Sequence, residues 1–127
     1  MTTGHMQQNP EFLRLVDEAK SRIRQIDVED LRRMLAAGEQ FLLVDVREES
    51  EFGAGHAEGA YHLGKGIIER DIETYVPDKS RKMVLYCGGG FRSALAADAL
   101  QKMGYTGVVS LAGGWRDYLA AGLPTAS

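Results

Sequence analysis

"KMVLYCGGGFRSALAADALQKMG", residues 82–104, decides the fold. It opens on a strand over residues 82–87 that is apolar without interruption after Lys82, breaks at three glycines, and resumes with apolar Ala94, Leu95, Ala97, Leu100 and Met103 at helical spacing before Gly104 stops it. A run without polar alternation is a strand buried on both faces, as a parallel sheet requires. The stretch therefore predicts strand, glycine loop, helix. It also holds the chain's single cysteine, Cys87, at the end of that strand.

The same grammar recurs on both sides. "PEFLRLVDEAKSRIR" carries apolar residues at helical spacing, with Pro10 suited to a first turn. A short strand around Ile26 follows. Asp27 then serves as N-cap for a helix that stops near Gly38. "FLLVDV", 41–46, is a second doubly buried strand with an acid near its end. A short helix or turn leads to a brief strand over residues 60–63, then a short helix and a loop through Pro77. "GVVSLAG" is a further buried strand, and "GWRDYLAAG" a last helix. Alternating strands and helices predict an α/β fold with a mostly parallel sheet covered by helices. Such sheets bind ligands at the carboxyl ends of their strands, where Cys87 sits.

Length and composition set the outer bounds. A chain of 127 residues suits one domain with one core. It can bury roughly two-thirds of its unfolded surface, so neither disulfides nor a structural metal are needed. A net charge of −3 gives no reason to expect nucleic acid. No apolar run approaches the ~18 residues of a membrane span, so no membrane partner is expected. One cysteine excludes an internal disulfide and a cysteine-rich zinc cluster, and an unpaired thiol without an export signal points to the cytoplasm. Residues 1–9 read as a tag-like or disordered N-terminus, 10–24 as a helical extension and 25–127 as the domain.

The loop after Cys87 carries the chemistry. Gly88, Gly89 and Gly90 let the backbone curl and take positive φ, so that successive N–H groups form a nest for an anion. The helix beginning near Arg92 adds its own unpaired N–H groups and dipole. A thiol there is expected to be a thiolate nucleophile near neutral pH. Taken alone, a lone cysteine at a strand end is a small buried hydrophobe, and glycines after a strand are a tight turn. Together with Phe91, Arg92 and Ser93 they supply nucleophile, oxyanion donors and cation in one place.

At this point the sequence resembles the single-domain rhodaneses, a sulfurtransferase family. "CGGGFRS" resembles their active-site loop, "LLVDVREESEF" their early strand with Asp-x-Arg, "GHAEGA" their Gly-His-x-x-Gly-Ala segment, and "LAGGW" their last strand and turn. The resemblance implies a rhodanese-like three-layer α/β fold with a five-stranded sheet. It implies Cys87 as catalytic nucleophile, Gly88 to Ser93 as the substrate-binding loop, and no cofactor or metal. The expected reaction has two displacements. Cys87 takes a sulfane sulfur from thiosulfate or a persulfide, and a thiol or cyanide then removes it, with a sulfur-carrier protein as a further acceptor. With no second cysteine, the sulfur must leave to an external acceptor.

Related phosphatases and arsenate reductases of this fold carry Cys, five residues, then Arg, whereas four residues separate Cys87 from Arg92 here. The smaller cradle favours sulfur over phosphate. A non-catalytic binding or redox-sensing module is the other alternative. Many family loops also carry a basic residue directly after the cysteine; here it is Gly88, which leaves the donor open. Arg92 has two readings, aimed into the site or buttressing the loop, and Phe91 two, lining the mouth or packing beneath it. The resemblance makes Asp45 and Arg47 a structural ion pair, His56 a turn residue with a structural hydrogen bond, and Trp115 packing near the site. His5 and His62 offer no metal spacing with His56. Lys65 and Arg70 are read as solvated, with attraction of an anionic donor as the sharper alternative. The N-terminal helix covers apolar surface or mediates a weak dimer; a monomer is the other state expected.

Overall fold

Hydrophobic parity along the central strands decides the layers. The computed structural model describes residues 9–127; the tag-like segment and His5 lie outside the described residues. The elements run α1 (Pro10–Arg22), β1 (Arg24–Ile26), α2 (Val28–Ala36), β2 (Leu42–Asp45), α3 (Glu49–Ala54), β3 (His56–Ala57), β4 (Tyr61–His62), α4 (Ile68–Tyr75), β5 (Met83–Tyr86), α5 (Phe91–Lys102), β6 (Val108–Leu111), α6 (Gly114–Ala120) and β7 (Thr125–Ala126). Five strands form one parallel sheet in the order β1-β6-β5-β2-β4. On β5, Met83, Leu85 and then Cys87 face one side, packed with α4 and α5 through Ile68, Ile72, Ala96, Ala97 and Leu100. Val84 and Tyr86 face the other, packed with Leu31 of α2 and Tyr118 of α6. Both faces of the strand are covered, which is why its sequence shows no alternation.

Local chemistry sets the element ends. Asp27 caps α2 by accepting from the Asp30 amide at 2.8 Å, and Asp30 returns the bond to the Asp27 amide at 3.0 Å. Pro10 opens α1. That helix ends at Arg22 rather than at residue 24, because Ile23 is extended (φ −109°, ψ 170°) and feeds Arg24 into β1. Its Val16 and Ala19 are buried, and it lies along α5. The second sheet is absent from the sequence reading. His56 and Ala57 do not form a turn; they pair antiparallel with Ala126 and Thr125. Two-residue strands are too short to show a period, and this pair needs the C-terminal tail to return across the molecule.

The topology also fixes where a ligand belongs. The chain leaves β2 outward to β4, and leaves β5 in the opposite direction to β6. Connections diverge from two adjacent strands at their carboxyl ends, and the crevice between them is the usual ligand position in open α/β sheets. Arg47 follows β2 at that edge and Cys87 follows β5.

Candidate active site

Cys87 continues the parity of β5 onto the α5 face and is 1% exposed. Its Sγ accepts from the Gly90 amide at 3.2 Å and the Ser93 amide at 3.3 Å, and lies 3.5 Å from Ser93 Oγ. Two amides and a hydroxyl thus converge on one sulfur. Gly88 and Gly89 give no amide to it among the described bonds, and only Gly90 of the three glycines has positive φ, at 98°. The expectation of positive φ at all three glycines is corrected: the loop needs one left-handed residue, where the chain turns into α5.

The loop carbonyls explain the direction of its amides. Trp115 N–H donates to the Cys87 carbonyl at 2.7 Å and Arg116 N–H to the Gly88 carbonyl at 3.1 Å. The start of α6 therefore holds these carbonyls away from the sulfur. Such close approach requires Gly114: a Cβ there would stand 2.3 Å from the Cys87 oxygen, and its φ is +50°.

Arg92 reaches across the loop to Glu51 of α3, with bonds of 2.9 and 3.3 Å. A Cβ on Gly88 would meet its guanidinium at 3.3 Å, so the arginine lies beside the first glycine of the loop. The hydrogen bonds from Arg92 hold the Glu51 carboxyl below the usual carboxylate range. The Glu51 hydrogen bond in turn raises the Arg92 guanidinium, with a smaller contribution from Cys87. Phe91 points to α1, edge-on to Phe12 at 6.2 Å, with Lys20 Nζ 4.9 Å from its ring centre. Arg116 projects into solvent at the lip, 4.0 Å from where a Gly89 Cβ would be. A second cation thus stands near the loop although Gly88 carries none.

Around this centre lies a bracing layer. Asp45 and Arg47 form a buried pair, Nη2 to Oδ2 at 2.8 Å, and Arg47 also donates to the Gly55 carbonyl at 2.6 Å. Burial pushes the Arg47 guanidinium down, but the Asp45 bonds and charge leave it raised overall. The guanidinium lies 4.8 Å from the Trp115 ring, which stacks with Tyr86 and Tyr118. Tyr86 accepts the Ala57 amide through its hydroxyl at 3.0 Å, and burial raises its phenol far above the ordinary value. His56 bonds the Phe52 carbonyl at 2.8 Å and stacks on that ring; His62 bonds the Arg47 carbonyl at 2.7 Å. Arg70 pairs with Asp71 on the surface, and Lys65 gives its amide to Val46. Among the described residues, no three His, Cys, Asp or Glu side chains gather into a metal-holding group. No helix of the described chain is long and apolar enough to cross a membrane. A cavity of about 560 Å³ opens between β4 and α4, lined by Val44, Tyr61, Ile72 and Tyr75, and does not touch Cys87.

Sequence reasoning misses three neighbours of the loop: Glu51, Ser110 and Arg116. Glu51 carries a weak signal, since it bonds the Glu48 amide at 2.9 Å in the manner of a helix N-terminus. Ser110 is a lone hydroxyl in an apolar strand, and Arg116 follows the Gly-Gly-Trp turn. Nothing in the spacing ties either to a cysteine in another element.

The chain is similar to several known proteins. The sulfurtransferase of Allochromatium vinosum is 36% identical over 102 residues, covering 80% of this chain and 94% of that protein. The thiosulfate sulfurtransferase PspE of Escherichia coli is 36% identical over 74 residues, covering 58% of this chain and 70% of its own. A solved structure from Rhodopseudomonas palustris, described as a protein of unknown function and possible tyrosine phosphatase, superposes with a TM-score of 0.81 at 30% identity, covering 94% of this chain and 98% of that one. The profile of the rhodanese-like domain matches residues 27–121, which span β2 to β6, the loop and the Gly-Gly-Trp turn. With that match laid over a parallel sheet that ends in a cysteine loop, the chain belongs to the rhodanese-like domain family.

Proposed function

We propose that this chain is a sulfurtransferase that carries a sulfane sulfur on Cys87. The observation that carries the reading is the convergence of the Gly90 and Ser93 amides on a buried Sγ at the carboxyl end of β5. Fixed donors aimed at a sulfur stabilise negative charge there without reorganisation. The relatives named as sulfurtransferases support it. In the first step, Cys87 thiolate attacks the outer sulfur of thiosulfate, the S–S bond of the donor breaks, and sulfite leaves with the electron pair. In the second, an acceptor nucleophile (cyanide, a small thiol or the thiol of a sulfur-carrier protein) attacks the terminal sulfur of the persulfide. The electron pair then returns to Sγ. This is ping-pong chemistry through a covalent intermediate. A reducing compartment such as the cytoplasm suits an unpaired nucleophilic thiol.

Charge near the loop supports an anionic donor. Arg116 stands at the lip with its side chain 74% exposed and 3.5 Å from Asp117, and Arg92 is engaged by Glu51. Phosphate-ester hydrolysis is disfavoured by the loop, in which four residues separate Cys87 from Arg92 and Glu51 engages the guanidinium.

Intact mass after incubation with thiosulfate, mercaptopyruvate or glutathione persulfide tests the reading. Wild type is expected to gain one sulfur from at least one donor, and Cys87→Ser none. Absence of an adduct from all three sinks the proposal in favour of a binding module. Hydrolysis of an aryl phosphate that disappears in Cys87→Ser would replace it with a phosphatase.

A further inference from the structure

Ser110 lies in the middle of β6, and the register that sets it beside Leu85 puts it on the face of the sheet that holds Cys87. Its Oγ is 2.8 Å from Ser93 Oγ, and Ser93 Oγ is 3.5 Å from Cys87 Sγ. Both serines are 0% exposed. Among the described residues, the Ser110 hydroxyl has no other hydrogen-bond partner.

That isolation fixes a direction. Each hydroxyl has one proton to donate and lone pairs to accept. If Ser93 donated to Ser110, the Ser110 proton would have no acceptor, in a place sealed from water, and would carry the full penalty of an unpaired buried donor. The Ser110 proton therefore goes to Ser93 Oγ. The Ser93 proton must then go elsewhere, and in the thiolate state the charged Sγ, 3.5 Å away, is the acceptor that gains most from it. The chain Ser110 to Ser93 to Sγ adds a third donor to the amides of Gly90 and Ser93.

We propose that Ser110 is a positioning residue for Cys87: it acts through Ser93, turning that hydroxyl toward the sulfur. Without Ser110, the Ser93 hydroxyl is released to rotate toward a carbonyl of the loop that precedes α5, three or four residues back, the usual alternative for a serine in a helix. The inference rests on Cys87 being the nucleophile proposed above. The charged groups about the thiol are Arg92 with its partner Glu51 on α3, and Arg116 on α6; substitution at Ser110 alters none of them.

The test is the rate of Cys87 alkylation by iodoacetamide against pH in wild type, Ser110→Ala, Ser93→Ala and the double variant. It reads the thiol without any sulfur donor, so its failure is distinct from a missing sulfur adduct. Ser110→Ala is expected to move the midpoint upward by about one pH unit, the size of one lost hydrogen bond to a charged group. Adding Ser110→Ala to Ser93→Ala is expected to move it no further. A Ser110→Ala profile that overlays wild type, or an equal shift in both backgrounds, overturns the proposal. Neutron diffraction of wild-type crystals above the midpoint needs no variant. A Ser93 deuteron on the line to Sγ supports the proposal, and one pointing to Ser110 overturns it.

Discussion

Gly114 shows how a single missing side chain shapes the site. A Cβ there would fall 2.3 Å from the Cys87 carbonyl oxygen, and the residue sits at φ +50°. Gly114→Ala must push α6 off the loop and break the Trp115 bond that holds this carbonyl. Backbone strain and overpacking together are expected to lower stability by at least about 2 kcal/mol, read as a lower urea midpoint, with sulfur loading impaired as well. Gly53 in α3 is the control, because nothing lies within 4 Å of its would-be Cβ and its φ is ordinary. Gly53→Ala is expected to raise stability by about 0.5 kcal/mol. The loop itself was legible from "CGGGFRS". The distinction between its glycines was not, since it depends on which residue meets α6 and which turns into α5.

At the scale of elements, the clip between α1 and α5 is the informative contact. Arg22 at the end of α1 grips Asp98 of α5 with two bonds, of 2.9 and 2.8 Å, and Lys102 adds an ion pair at 3.3 Å. The Arg22 hydrogen bonds hold the Asp98 carboxyl below the usual carboxylate range, although burial opposes them. A carboxyl whose folded value is depressed stabilises the fold above its unfolded value, about 3.9, and that contribution is lost as pH falls through the folded value. Asp98→Asn is expected to lose about 2 kcal/mol at pH 7, from two weakened charge-assisted bonds. As pH falls below the depressed folded value, its urea midpoint should approach that of wild type, because wild type then also carries a neutral side chain at this position. A difference that stays constant from pH 7 to acid would count against this account. The amphipathic period of α1 was readable; its target was not, since Arg22 and Asp98 stand 76 residues apart in the chain.

Across the whole molecule, the Asp45–Arg47 pair is the point where the layers meet. Arg47 joins the end of β2 to the Gly55 carbonyl after α3, to the Trp115 ring of α6, and through its own carbonyl to His62 of β4. Asp45 is 0% and Arg47 4% exposed. Asp45→Asn leaves a buried guanidinium without its counter-charge, and the expected loss is about 3–5 kcal/mol in a urea titration. Combining it with Arg47→Met should recover part of that loss, because an apolar side chain carries no uncompensated charge. A double variant no more stable than the single one would argue that Arg47 matters through its contacts with Gly55 and Trp115 rather than through its charge.

Patterning alone determined the α/β class, the central strands, the helices between them and the position of the thiol at a strand end. Apolar runs, N-caps and glycine stops are local, and the burial of β5 on both faces is written in its lack of alternation. Tertiary structure decided which groups meet that thiol. The β5–β6 register sets Ser110 beneath Ser93, Gly114 brings α6 onto the Cys87 and Gly88 carbonyls, and α3 delivers Glu51 to Arg92. Each of these contacts joins residues whose distance is set by strand order and close approach, which neither period nor spacing along the chain encodes.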